Sequence, residues 1–382
     1  MEHLLARDGN GIGAASSGPV AASPSCTPEE QGMDSARLAQ MVDFLQVGDR
    51  NLHSVLVLRN GWVVAEAYSH PYTAATPHSL YSCTKSVISL LIGIALTRGV
   101  LTGISQPVAD FFPWLSAPGQ DPRKGRITID HLLQMSAGLD WRESNIAYSS
   151  KRNTLMQMMR SQDWTRFVLE RPPVADPGQR FDYSSGLSHV LSAILQAASG
   201  QSTLQFAQEH LLSPLGIGES VYWAADPAGV TTGGWGLQLT TRELARIGRL
   251  CGQQGRWQDQ EIVAPGWIKR STQARRQVVD GSSLTYRIWS LARRLQRRPA
   301  PKVSRIGYGQ HWWIPSFGGY AARGRGGQAL FILPNADLVV ACTGGLTRRD
   351  VLLPEKLVAD FILPAVVANR PLPAAPQSAA SL

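Results

Sequence analysis

Ser82 and Lys85 stand three residues apart at the head of an apolar run, a spacing that brings a hydroxyl and an amine together. The run Val87-Ile88-Ser89-Leu90-Leu91-Ile92-Gly93-Ile94-Ala95-Leu96 reads as a buried helix ending near Gly99. Ser82 then falls in the first turn with Lys85 beside it, one turn on. A hydroxyl next to a group that can take its proton is a nucleophile for a carbonyl carbon. Of the six lysines, Lys85, Lys124, Lys151, Lys269, Lys302 and Lys356, only Lys85 has a serine three positions earlier. Chance supplies such a match readily in a serine-rich chain, so its weight depends on partners elsewhere. Cys83 points about 100° away around the helix and reads as a core thiol.

Two further segments offer such partners. Pro177-Gly178-Gln179-Arg180-Phe181-Asp182-Tyr183-Ser184-Ser185-Gly186 sets Tyr183 and Ser185 two apart in a turn before a helix of His189 to Ala198. They project the same way if the turn is extended. A phenol near a lysine loses its proton more readily, which makes Tyr183 a candidate base; the alternative is a ring that packs the start of the helix. Gly324-Arg325-Gly326-Gly327-Gln328 runs directly into a strand beginning at Ala329. Glycines there admit a substrate carbonyl closely, and an exposed backbone N–H can face a developing oxyanion. With no Gly-Lys-Ser/Thr and a strand following, it is not a phosphate loop.

The elements that must position these groups follow from periodicity. Asp34 or Ser35 caps a helix over about Ala36 to Leu45. Ser54 to Tyr68 reads as a hairpin turning at Asn60-Gly61, and Ala329 to Leu333 pairs with Leu338 to Cys342 across Pro334-Asn335-Ala336-Asp337. Helical periods cover Ile127 to Met135, Leu155 to Glu170, Ser188 to Ala198, Thr203 to Leu212 and Arg242 to Cys251, and a proline-broken helix runs from Leu352 to Val366. Sheet at both ends with helices between predicts an antiparallel sheet flanked by helices, with a mostly helical inserted domain. The expected division is a sheet domain of 29–100 plus 305–368 and a helical domain of 101–304. Segments 1–28 and 369–382, rich in Pro, Ala, Gly or Ser, are expected to be loose.

Composition sets the bounds. The 382 residues, 43% hydrophobic and 8% aromatic, suit a globule of one large domain or two. The charge of +9 comes from 37 basic residues spread along the chain, and the one dense cluster, Arg293-Arg294-Leu295-Gln296-Arg297-Arg298, lacks interleaved aromatics. It reads as a basic surface loop, and no nucleic-acid partner is expected. Cys26, Cys83, Cys251 and Cys342 lack metal or redox spacing and read as free thiols; the eight histidines show no metal spacing either. No cofactor and no metal are expected. There is no apolar stretch of membrane-spanning length and no basic start followed by a leucine-rich segment, so no membrane partner and a cytoplasmic location are expected, with secretion open if the start codon is mis-annotated. A Gly-x-Ser-x-Gly elbow is absent.

Taken in order, serine-x-x-lysine on a helix, tyrosine-x-serine in an insertion and a glycine-rich strand edge near the C-terminus resemble the serine beta-lactamase and penicillin-binding-protein superfamily. The likeness is to its class C, esterase and 6-aminohexanoate-dimer (nylon oligomer) hydrolase branch. Ile127-Thr128-Ile129-Asp130-His131-Leu132-Leu133-Gln134-Met135-Ser136-Ala137-Gly138-Leu139, Gly233-Gly234-Trp235-Gly236-Leu237 and Trp312-Trp313 add to it, over roughly residues 28 to 366. The resemblance implies that Ser82 is acylated, Lys85 assists its deprotonation and Tyr183 passes the proton to the leaving group. It also implies an oxyanion hole of the backbone N–H groups of Ser82 and Gln328. Lys85 acting as base must be desolvated or crowded by positive potential; the alternative keeps it charged with Tyr183 as phenolate.

Two departures separate this chain from class C beta-lactamases, which carry asparagine where it has Ser185 and lysine-threonine-glycine where it has Arg325-Gly326-Gly327. Both shift the expected substrate from beta-lactams towards esters and linear amides. Ser185, Arg325, Gly326 and Gly327 are expected to bind substrate, Arg325 either holding a carboxylate or standing solvated. Tyr148, Trp312 and Trp313 are expected as aromatic walls, with packing as the alternative for each. The expectation is a metal-free serine hydrolase of a small-molecule ester or amide, in the 6-aminohexanoate-dimer manner. The rivals are a beta-lactamase or D-amino-acid peptidase and a catalytically silent scaffold on the same fold. Oligomeric state is left open.

Overall fold

The computed structural model describes residues 24–47, 50–144, 146–218, 220–279, 305–347 and 350–368. The basic cluster at Arg293 to Arg298, and the expected loose segments apart from residues 24–28, lie outside the described residues.

Eight strands form one antiparallel sheet: β1 (Leu52–Arg59), β2 (Trp62–Tyr68), β3 (Arg276–Val279), β4 (Arg305–Tyr308), β5 (Trp313–Ile314), β6 (Tyr320–Arg323), β7 (Ala329–Leu333) and β8 (Leu338–Gly344). Their spatial order is β2-β1-β8-β7-β6-β5-β4-β3, so the first hairpin and the last lie side by side at one end. The β1–β2 turn has Asn60 at φ 48° and Gly61 at φ 81°, the two left-handed residues that match the twist of a two-residue hairpin.

Both faces of the sheet are covered, and alternation along each strand assigns the side chains. From β1, Leu56 and Leu58 enter the core on one face and Val55 and Val57 the core on the other. From β7, Leu330 and Ile332 go one way and Phe331 and Leu333 the other. The second face is closed by α1 (Ser35–Gln46), capped by Asp34, and by the helical turns of Leu353–Ala365. The first face is closed by α2 (Thr84–Thr97), whose residues Thr84 to Ala95 are all buried, by α3 (Ser185–Ser199) packed against α2, and by α4 (Thr241–Gly252) lying across β8 and β7. An apolar helix thus becomes the central rod of the molecule. Its two buried serines turn inward, Ser86 Oγ donating to the His311 carbonyl and Ser89 Oγ to the Gln310 carbonyl, which ties the β4–β5 loop to α2.

Several expectations need correction. Leu155 to Glu170 is two helices, Thr154–Met158 and Trp164–Glu170, because Asp163 accepts from the Arg166 N–H and caps a fresh start. The stretch 101–304 does not stand apart from the sheet: β3 pairs with β4, and α4 rests on β8. Residues 24–28 are bound rather than loose, with the Cys26 N–H donating to the Val63 carbonyl and Ser25 bridging Val63. All four cysteines are free. Among the described residues no helix is long and apolar enough to cross a membrane.

Candidate active site

Ser82 sits two residues before α2, in the tight turn Tyr81–Cys83 that leads into it, rather than in the helix's own first turn. Tyr81 adopts φ 44°, a left-handed conformation that a bulky residue rarely takes, so the turn that carries Ser82 is held by its surroundings rather than by local preference. Ser82 keeps part of its surface exposed, while Lys85 is only 2% exposed. Cys83, between them, is buried and donates through Sγ to the Gln328 carbonyl at 3.4 Å. That contact sets the Gly324–Gln328 edge against the serine turn. Burial raises the Cys83 thiol well above its usual range, so it is inert where Ser82 is available.

Lys85 Nζ lies 3.1 Å from Ser82 Oγ, 3.0 Å from Ser185 Oγ and 2.7 Å from the Gly234 carbonyl. Burial lowers its pKa from 10.5 to about 8, against an opposing pull from Glu143. Gly234 reaches this position because it has no side chain: a Cβ there would stand 2.8 Å from the Ser185 carbonyl oxygen and 2.9 Å from Ser185 Cβ. Ser184 caps α3 by accepting from the Leu187 N–H, which places Ser185 as the first helical residue and Tyr183 just outside.

The Tyr183 ring stands with its centroid 5.0 Å from Lys85 Nζ and stacks on Trp313 at 5.9 Å. Desolvation, then the neighbouring Tyr308 and Glu143, push its phenol well above the usual tyrosine range, while a hydrogen bond with Ser82 pulls the other way. Burial thus moves the two groups in opposite directions, the Lys85 amine down towards neutral pH and the Tyr183 phenol up.

Glu143 was not singled out from the sequence. It is 4% exposed and accepts from the Ser185 N–H at 2.7 Å, the Ser185 hydroxyl at 2.6 Å and Trp141 Nε1–H at 2.9 Å. Asn153 holds the loop that carries it, donating to the Glu143 and Ile146 carbonyls. An acidic residue two positions after a tryptophan in a loop gives no periodic signal, and only the fold brings it beside Ser185.

The expected substrate contacts divide. Trp313 faces Tyr183, but Trp312 is fully buried, edge-on to Tyr320 at 5.4 Å, because adjacent residues at a strand point to opposite sides. Trp312 is thus a core residue and offers no wall. Ser185 is 2% exposed with its hydroxyl engaged by Lys85 and Glu143, so it supports the lysine rather than meeting substrate. Gly326 and Gly327 form a left-handed turn at φ 79° and 88°, where a side chain would be strained. Arg325 is exposed, its guanidinium 5.7 Å from the centroid of the partly buried Tyr148 ring. Gln328 is buried, its side chain bridging the Arg325 and Gly344 carbonyls. A recess of about 370 Å³ lies elsewhere, lined by Lys269, Phe317, Tyr320 and Leu333 among others, and holds none of these groups. Among the described residues no cluster of three His, Cys, Asp or Glu is placed to hold a metal.

This arrangement can be set against known proteins. The chain is 25% identical over 225 residues to the 6-aminohexanoate-dimer hydrolase of Paenarthrobacter ureafaciens, covering 56% of this chain and 55% of that protein. It is 24% identical over 222 residues to the esterase EstB of Burkholderia gladioli, covering 53% and 56%. The chain thus spans about half the length of these curated relatives. Its fold is similar to that of a Bacillus anthracis protein provisionally named a 6-aminohexanoate-dimer hydrolase, with TM-score 0.70, 20% identity and coverage of 93% and 89%. The family profile described as Beta-lactamase matches residues 38–352, most of the length, and the chain belongs to the beta-lactamase family.

Proposed function

We propose that this protein is a serine hydrolase that cleaves carboxylic esters or small linear amides through an acyl-enzyme on Ser82. The observation that carries the reading is Lys85 Nζ at 3.1 Å from Ser82 Oγ, in a site whose burial brings the amine to a pKa of about 8. Ser82 Oγ attacks the carbonyl carbon as its proton passes to Lys85. Negative charge on the carbonyl oxygen is met by the backbone N–H groups of Ser82 and Gln328. Tyr183, protonated and beside Ser82, hands a proton to the departing alkoxide or amine and is reprotonated from Lys85. Water then attacks the ester carbon of the acyl-enzyme, releasing the acid and restoring Ser82.

The chemistry of the site supports this substrate class. The Ser185 hydroxyl is committed to Glu143 and Lys85, so it cannot serve as the amide donor that an asparagine would supply to a beta-lactam side chain. Arg325 over Tyr148 leaves a guanidinium at the rim suited to a substrate carboxylate, as at the far end of a linear amino-acid dimer. Relatives named as a 6-aminohexanoate-dimer hydrolase and an esterase support the same reading.

The test is turnover of a short-chain p-nitrophenyl ester, a linear amino-acid dimer amide and a chromogenic cephalosporin by the purified chain. Ester or linear amide should be cleaved in preference to the cephalosporin, with activity falling at least about 10³-fold in Ser82→Ala. Equal turnover by the two proteins would exclude Ser82, and preference for the cephalosporin would return the reading to a beta-lactamase.

A further inference from the structure

All three hydrogen bonds to the Glu143 carboxylate come from neutral donors: Trp141 Nε1–H, the Ser185 N–H and the Ser185 hydroxyl. A carboxylate only accepts, so the single proton of the Ser185 hydroxyl is spent on Glu143 Oε1 at 2.6 Å. Ser185 Oγ must then turn a lone pair towards Lys85 Nζ at 3.0 Å, and the Gly234 carbonyl at 2.7 Å is likewise an acceptor. A neutral amine has two N–H bonds and one lone pair. Both N–H bonds are claimed by these acceptors, and the third contact, Ser82 Oγ at 3.1 Å, is left to the lone pair.

We propose that Glu143 is the positioning residue of this site: through the Ser185 hydroxyl it fixes the direction of the hydrogen bonds around Lys85, so that the amine lone pair faces the Ser82 proton. Glu143 does not touch the reacting atoms. It works one hydroxyl away, and this inference rests on Ser82 and Lys85 acting as the nucleophile and base described above.

The substitution Glu143→Gln has only one way to fit. Oε2 faces two N–H groups that cannot reverse, the Trp141 indole and the Ser185 backbone, so the glutamine must keep its carbonyl there. Its amide NH₂ then occupies the Oε1 position and donates to Ser185 Oγ. The Ser185 proton swings towards Lys85 and takes the lone pair that should meet Ser82. The variant also removes a negative charge that helps Lys85 hold its proton. The other groups around Lys85 are Cys83, kept as a thiol by burial, the Tyr183 phenol and His311, kept neutral by burial and by Lys85 itself.

The experiment is the second-order rate of Ser82 labelling by a fluorophosphonate from pH 6 to 10, for wild type, Glu143→Gln, Ser185→Ala and the double variant. Glu143→Gln should lower the plateau by about 10²-fold and move the acid limb to lower pH. Ser185→Ala should lower the plateau about tenfold, and adding Glu143→Gln to it should lower the plateau less than about twofold further. A merely structural role would leave the acid limb in place. Wild-type rates in Glu143→Gln, or an undiminished penalty for it in the Ser185→Ala background, would overturn the relay. If the Glu143 variant does not fold, wild-type labelling by Ser185→Ala overturns it equally. No label on the wild type would instead refute the nucleophile assignment.

Discussion

The pH dependence of acylation follows directly from the burial of Lys85. The active form of a general base is the deprotonated one, so lowering the Lys85 pKa from 10.5 to about 8 moves activity towards neutral pH. An amine with that pKa is neutral in about one molecule in eleven at pH 7 and about ten in eleven at pH 9. The rate of Ser82 labelling by a fluorophosphonate, or kcat/KM for a p-nitrophenyl ester, should therefore rise about tenfold between pH 7 and 9 and then flatten. An unperturbed lysine would give a rise of about a hundredfold over the same span, still climbing at pH 9. Tyr183, held well above the ordinary tyrosine range, should add no limb of its own below pH 9. Lys85→Arg, which cannot give up its proton, should lose the limb together with the activity. A profile that climbs without flattening through pH 9.5 would refute the argument that burial has prepared Lys85, and one already flat at pH 6 would show that a different group is the base.

Three substitutions probe the remaining parts of the site. Tyr183→Phe should slow acylation of an ester by about 10² or more in single-turnover kinetics, because the ring stays in place while the proton carrier is lost. Arg325→Ala should lower kcat/KM about tenfold for a linear amide ending in a carboxylate and leave a neutral ester unchanged; an equal loss for both would deny it that role. Trp313→Ala should raise KM with little change in melting temperature. Trp312→Ala should do the reverse, costing about 3–5 kcal/mol of stability in chemical denaturation, since Trp312 is fully buried against Tyr320.

Local chemistry was the part of this structure that could be read in advance. Asn60-Gly61 announces the first hairpin because both residues tolerate the left-handed conformation that the turn requires, and both adopt it. Ser82 and Lys85 are three residues apart, so spacing makes them neighbours, but Ser82 lies in the turn before α2, and the left-handed Tyr81 that shapes this turn gave no signal in the sequence. Tyr183 was suggested by its motif, but its stacking on Trp313 depends on a strand 130 residues further along the chain. What sequence did not show is carried by loops and backbone. Glu143 meets Ser185 across 42 residues, and Gly234 contributes a carbonyl, which every residue type possesses. The Trp312-Trp313 pair could not be divided into core and wall until the strand that begins at Trp313 was seen to place the two rings on opposite sides. Ser185 is expected from its motif to meet substrate, whereas its short hydroxyl ends on the lysine and the buried carboxylate, both of which the fold brings from elsewhere in the chain.

The central claim is that Ser82 becomes acylated with Lys85 as its base. Its most direct test is intact-mass and peptide-level analysis after exposure to an activated fluorophosphonate. The wild type should gain a single adduct mapped to Ser82, Ser82→Ala should gain none, and Lys85→Ala should react far more slowly at pH 8. An adduct in equal yield on Ser82→Ala, or no adduct on the wild type, would contradict the account.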